Sequence, residues 1–172
     1  MIVLSDHSAL HPHAIFKKLK QMGGYFNHNK QTLAGLIAGR DQPLNDRVAW
    51  GAMRMDPTDI SDVTAAAYTY LVNGHGPADN WTGLFAAGER VRLRIINASA
   101  MTTFNIRVPD LAMTVVQADG LNVRPVRVSE FQIGVAETYD VIVEPEDRAY
   151  SIIAENSDRS AWRAQRSPRA PA

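Results

Sequence analysis

The chain has 172 residues, and its 18 basic side chains balance its 18 acidic ones, so no whole-chain field draws it toward nucleic acid or a membrane surface. With 45% hydrophobic residues it can bury a core of its own, which separates it from disordered chains. It contains no cysteine, which excludes disulfides, thiolate catalysis, cysteine zinc sites and the thiolate of a blue-copper centre.

No apolar run approaches the roughly 20 residues needed to cross a bilayer. The start, Met1 to Asp6, lacks the basic opening, apolar middle and small-residue cleavage site of a signal peptide. The expectation for the chain by itself is therefore the cytoplasm. Ile2-Val3-Leu4 predicts a strand beginning at once, as in a piece of a longer polypeptide. His11-Pro12-His13 then introduces a predicted helix, with Ile15, Phe16, Leu19 and Met22 on one face and lysines opposite and toward its C-terminal end. Gly23-Gly24 stops it. A second helix is expected over Thr32 to Ala38, with Leu33, Leu36 and Ile37 facing inward. A third is expected from an Asn45 N-cap through Trp50 to Met55, ended by Asp56-Pro57. These helices form an insert of residues 11 to 56, expected to lie outside the sheets.

From Tyr68 the period changes to two. Tyr68 to Val72 predicts a strand turned by Asn73-Gly74, and a polar, glycine-rich loop leads to Gly88. In the run Arg90 to Ile95, Val91, Leu93 and Ile95 alternate with Arg90, Arg92 and Arg94, the mark of a strand with one buried and one wet face. Further strands are expected over Phe104–Val108, Met113–Ala118, Leu121–Val128, Phe131–Val135, Tyr139–Val143 and Tyr150–Ala154. Asp119-Gly120 is a hairpin signal, and Pro125 argues that its strand is an edge or a bulge. Short strands at near-regular spacing read as a β-sandwich or small barrel. The main strand block runs over 68–154 within a domain of 1–158, and the aperiodic tail 159–172 reads as linker or disorder.

Several separated motifs stand in the order seen in multicopper oxidases: Asn73-Gly74, Gly88 to Ser99, Asp119-Gly120, Pro125-Val126 and Glu137 to Glu144. Trp50 to Asp59, Tyr68 to Leu71, Asn80 to Phe85 and the surroundings of Asn29-Lys30 resemble the bacterial copper-resistance type of that family. The resemblance covers about residues 1 to 158 and is to the second, middle cupredoxin-like domain; the tail beyond Arg159 departs from the pattern. It implies an all-β Greek-key sandwich of cupredoxin-like type with a short helical insert. It also implies a periplasmic parent enzyme that couples oxidation of a substrate or Cu(I) to reduction of dioxygen to water. In that family the copper ligands lie on the first and third domains, which are absent here. By resemblance those domains are this one's partners, it scaffolds them, and no residue of this chain inherits a catalytic, cofactor-binding or metal role; alone it is expected to be inactive.

The residues themselves leave other candidates. His7, His11 and His13 are the one histidine cluster, and imidazole suits copper or zinc. Flanking a proline before a helix, with no carboxylate or thiol to complete a shell, they read more simply as a solvated helix start. His28 and His75, each alone in a polar loop, read as surface. Met53 and Met55 carry thioethers that favour Cu(I), but side chains two apart on a helix diverge, so packing in core or groove is favoured. Met101 and Met113 read as strand packing. Arg90, Arg92 and Arg94 form a stripe that suits an acidic partner or cross-strand carboxylates; without interleaved aromatics it does not suit nucleic acid. Of the carboxylates nearest regular structure, Asp119, Glu137 and Asp140, Asp119 is explained by its turn and Asp140 by outward alternation, and a catalytic pair among them would need a pocket. Tyr139 is a candidate corner tyrosine. Ser99 belongs to no nucleophile motif, and no phosphate-cradling loop is present. Two further readings follow from these residues: a small copper-binding module built on His7, His11 and His13 with Met53 and Met55, and an immunoglobulin-like interaction sandwich.

Overall fold

A computed structural model describes residues 1–27, 29–76, 78–79 and 81–158, and the backbone of 162–167. The chain divides into two compact units, one of Met1–His7 with Thr69–Ala172 and one of Ser8–Tyr68.

The first unit is a sandwich of two sheets. The larger takes β1 (Ile2–His7), β2 (Thr69–Val72), β3 (Val91–Asn97), β5 (Met113–Ala118), β6 (Leu121–Val128) and β8 (Thr138–Val143), in the order β2-β1-β3-β8-β5-β6. The smaller takes β4 (Phe104–Arg107), β7 (Glu130–Ile133), β9 (Tyr150–Asn156) and β10 (Trp162–Ser167), in the order β10-β9-β4-β7. The strand β1 runs parallel to β3, with Ile2 opposite Ile95, and antiparallel to β2. Alternate residues of these strands fill the space between the sheets: Ile2, Leu4, Ile95, Phe104, Ile106, Met113, Ile133 and Val141 are all buried. Tyr70 meets Phe104 edge-on at 5.5 Å, and its hydroxyl accepts a hydrogen bond from Asn156 Nδ2 at 2.9 Å.

Both predicted dipeptide turns adopt the left-handed backbone that a tight hairpin demands. Asn73 and Gly74 have φ of 51° and 79°, and Asp119 and Gly120 have 47° and 77°. Pro125 lies on β6, which is an edge strand, and the β5–β6 register shifts between Val115 and Gln117. The stretch read as an aperiodic tail differs from expectation, because β10 pairs with β9 from Trp162 opposite Glu155 to Ser167 opposite Tyr150. A strand added at a sheet edge is held by its partner's backbone groups and needs no hydrophobic period of its own. Residues 159–161 and 168–172 lie outside the described residues.

A second buried amide ties the two sheets together. Asn97 ends β3 and is 1% exposed, and its Nδ2 donates to the carbonyls of Thr102 at 2.8 Å and Ile133, the last residue of β7, at 3.2 Å. Its Oδ1 accepts the Ser99 N–H at 3.1 Å, while the Ser99 hydroxyl sits between that oxygen and the Thr102 carbonyl. Its backbone N–H donates to the Glu137 carbonyl, and its own carbonyl accepts from Ala136.

The second unit holds α1 (Pro12–Gln21), a 3-10 turn at Gly23–Phe26, α2 (Leu33–Ile37) and α3 (Leu44–Ala52). The predicted inward face of α1 is only half realised: Ile15 and Leu19 are half-buried, but Phe16 and Met22 are exposed, with the Lys20 ammonium 4.5 Å above the Phe16 ring. The face of α2 is the reverse of the expected one. Its buried residue is Gly35, which packs on Asp41, and Asp41 accepts the Thr32 N–H at 2.7 Å and pairs with Arg47 at 3.1 Å. Leu33 and Ile37 stand two residues either side of Gly35, about 200° around the helix, and so point outward at 76% and 87% exposure. Leu36 is half-buried. The helix α3 begins one residue before the expected Asn45 cap, on Pro43, whose carbonyl accepts the Arg47 N–H.

Replacing Asn97 by Ala orphans the buried Ile133 carbonyl and the Ser99 N–H together, at about 1–3 kcal/mol for each such group. The expected loss is on the order of 3 kcal/mol, read as a lower urea midpoint with unchanged slope. A midpoint equal to the parent's would show that the Asn97 contacts carry no stability.

Candidate functional site

The histidines lie at element ends. His7 closes β1 and is exposed. His11 and His13 are exposed, and their rings stack at 5.2 Å because His11 is the N-cap of α1: its Nδ1 accepts the His13 N–H at 3.2 Å. One of its two possible ligand atoms is thereby already occupied. His75 is exposed in the turn after β2, and His28 lies outside the described residues. Among the described residues no group of three or more His, Asp or Glu side chains is arranged to hold a metal ion. Met53 and Met55 are 56% and 59% exposed, so neither is core. Met55 lines a groove of about 540 Å³ together with Met22, Asn27, Gln31 and Asp56. Met113 is fully buried in β5, whereas Met101 sits in the loop after β3 rather than in a strand.

The arginine stripe of β3 is satisfied within the sheet. Arg94 stands opposite Asp140 on β8, and Arg92 reaches the same carboxylate at 2.7 Å against 3.4 Å for Arg94. Two guanidiniums fold over Asp140, which explains how an outward-alternating carboxylate comes to be 9% exposed. Arg90 pairs with Glu144 at 3.1 Å in open solvent. The remaining carboxylates hold backbone: Asp119 Oδ1 accepts the Thr138 N–H at 2.8 Å, and Glu137 Oε2 accepts the Gly134 N–H at 2.6 Å.

The corner-tyrosine role belongs to Tyr150, not Tyr139. The buried Tyr150 hydroxyl accepts the Glu146 N–H, four residues upstream, at 3.1 Å and Arg148 Nε at 3.0 Å. Tyr139 instead packs its ring on Phe131 at 5.3 Å. Burial, with Glu137 and Asp119 nearby, pushes its phenol above the ordinary value. Two carboxylates escaped the sequence reading because their partners are distant or irregular. Asp6 accepts the Ala100 N–H and the Thr102 hydroxyl, both at 2.8 Å, across more than 90 residues. Asp56 accepts the Thr58 N–H at 2.9 Å and the Thr58 hydroxyl at 2.8 Å. Burial alone would raise the Asp56 carboxyl, but the two Thr58 bonds, the Gln31 amide and the Arg47 charge outweigh it and hold it below its usual value. The polar clusters are thus spent on backbone and ion-pair partners, with no nucleophile–base pair among them.

Two sheets in this order, with the polar side chains described above committed to backbone and ion-pair partners, define a two-sheet β-sandwich. The multicopper oxidase family model matches residues 2–169, and the chain belongs to that family. It is 51% identical to copper resistance protein A of Escherichia coli over 94% of this chain and 28% of that protein. It is 47% identical to the copper resistance protein A homolog of Pseudomonas syringae pv. tomato, again over 94% and 28%. The chain therefore spans little more than a quarter of the length of these relatives. The solved structure of Fet3p, a multicopper oxidase that functions in iron import, superposes with a TM-score of 0.62 at 16% identity, covering 97% of this chain and 27% of that one. The fold is thus the cupredoxin-like one of this family. Copper belongs to the family, but the described donor set does not fit a copper centre: there is no thiolate, the described histidines are scattered and exposed, and one is a helix cap.

In a double-mutant cycle, Asp140→Asn with Arg92→Met is expected to show a coupling of about 1 kcal/mol, larger than with the more exposed Arg94→Met. Equal couplings would contradict the shorter bond seen for Arg92. For Asp56, a folded-state value below the unfolded one means its stabilisation is fully present above the ordinary carboxyl range of about 3.9 and is lost as pH falls through the lower folded value. Asp56→Asn is expected to flatten that acid limb in a circular-dichroism titration; an unchanged limb would refute the assignment.

Proposed function

We propose that this chain is the middle, second cupredoxin-like domain of a periplasmic multicopper oxidase of the copper-resistance type, and that it binds no copper itself. Its work is to hold a first and a third domain, which carry the copper ligands, at the spacing a shared cluster requires. The observation that carries this reading is a mismatch of extent: almost all of this chain corresponds to about 28% of relatives that share half its residues. Within that fraction the sequence offers no cysteine and the described residues offer no group of metal ligands. The family's dioxygen chemistry then falls to the rest of such a protein. What this chain contributes is a two-sheet sandwich in which the charge stripe of β3 is neutralised in place, as Arg92, Arg94 and Asp140 are.

The test is a chimera in which this chain replaces the matching segment of the E. coli copper resistance protein A, beside the chain alone. The chimera is expected to consume oxygen with a phenol or a cuprous donor, and the chain alone to consume none. Saturable copper binding by the chain alone at about one equivalent, abolished by His11→Ala with His13→Ala, would replace the scaffold with a metal-binding module.

A further inference from the structure

We propose that β6 and the cleft beside it form the seat for another domain of the same polypeptide, one presenting an apolar centre rimmed by carboxylates. The proposal rests on the scaffold reading above. The strand β6 closes one side of the larger sheet, and it is exposed at every position except Val128, which is half-buried. Its register with β5 locates where the core ends. Val126 stands opposite Val115 and Val128 opposite Met113, so these four share the core-side face. Met113 is 0% and Val115 9% exposed, yet Val126 is 53%. Cover on that face stops at β5, and β6 carries its valine past the edge. Leu121 and Val123 extend the apolar surface at 74% and 37% exposure.

An uncovered edge strand can accept either an added strand or a folded surface. Pro125 has no N–H to offer, and the β5 pairing breaks between Val126 and Asn122, so a regular ladder cannot be continued from this edge. Side-chain packing against a folded body remains. The charges say which kind. Arg92, Arg94 and Arg107 on other strands of this unit are ion-paired, whereas Arg124 and Arg127 on β6 have no ion pair among the described residues. Arg127 also lines, with Arg90, Thr114, Pro125, Ile142 and Glu144, a cleft of about 310 Å³. A symmetric pairing of two copies through β6 would bring these arginines toward their own mates, like charge facing like. A neighbouring domain bearing carboxylates has no such conflict, and relatives of which this chain covers 28% have the length to supply one.

Val126→Asp and Leu121→Asp, made separately in the chain alone and in the E. coli chimera, test the seat. Both side chains are exposed, so each variant of the chain alone is expected to unfold at the parent's urea concentration. In the chimera each is expected to speed proteolysis at the junctions of the grafted segment by about tenfold, and Arg127→Glu to do so less. Junctions as resistant as in the unmutated, oxygen-consuming chimera would overturn the seat while leaving the scaffold reading intact. An unmutated chimera without oxidase activity would sink the scaffold reading and the seat with it. A dimer of the chain alone in sedimentation, dissolved by Val126→Asp, would assign β6 to a second copy and likewise overturn the proposal.

Discussion

The sandwich depends on its buried amides, and on Asn97 above all. Two sheets can slide over an apolar core at little cost, because dispersion and burial are nearly blind to direction; a hydrogen-bonded polar group is not. Asn97 supplies the direction. It leaves β3 of the larger sheet and donates to the last carbonyl of β7 in the smaller one. With Thr102 and Ser99 it also folds the intervening loop onto itself. Asp6, arriving from β1, then binds the outside of the same loop through the Ala100 N–H and the Thr102 hydroxyl. Three segments distant in sequence, around Asp6, Asn97–Thr102 and Ile133, are thus set in register at one point. An apolar residue of the same size would give the core its burial and lose the alignment.

The same logic governs the charged groups, and it bears on function. A catalytic carboxylate or histidine needs an unfilled valence aimed into a pocket. Here the valences are filled locally: Asp140 by two arginines, Asp119 by the start of β8, Glu137 by the turn before it, and His11 by the helix it caps. Such a domain would, on the scaffold reading proposed above, contribute to chemistry by geometry. On the reading proposed, that is what a spacer between copper-bearing neighbours requires, since a drift of 1 Å in a supporting scaffold degrades a site built across it.

Much of this was legible in the sequence, for a physical reason. The strict alternation of Val91 to Ile95 survives because one face of β3 is core and the other is a row of arginines, and a one-residue slip would exchange them. Asn73-Gly74 and Asp119-Gly120 announce themselves because few residues tolerate positive φ in succession. What escaped has the opposite character. The inward side of α2 is set by a glycine lying on an aspartate, so counting apolar residues assigned Leu33 and Ile37 to the wrong face. The strand β10 is specified by the edge of β9, and Tyr150 earns its corner role only through Glu146 and Arg148, which no period marks. Tyr139 held the more obvious position and took the more ordinary part, a ring packed on Phe131.

The comparison between β3 and β6 carries the argument one step further. Both strands bear arginines, yet they resolve their charge differently. On β3 the adjacent β8 offers Asp140, which takes both Arg92 and Arg94, and Glu144 just past the end of β8 pairs with Arg90 just before β3. β6 has only β5 beside it, and the residue opposite Arg127 there is Thr114, which can accept a hydrogen bond but brings no charge. Evolution of a free-standing sandwich would be expected to shorten such a strand or cover it, because an exposed edge with apolar side chains invites association. β6 instead runs eight residues and protects itself with a proline, a device that blocks strand addition while leaving its side chains on display. Blocking one mode of contact and keeping the other is a choice between partners, and it favours a folded surface over another strand.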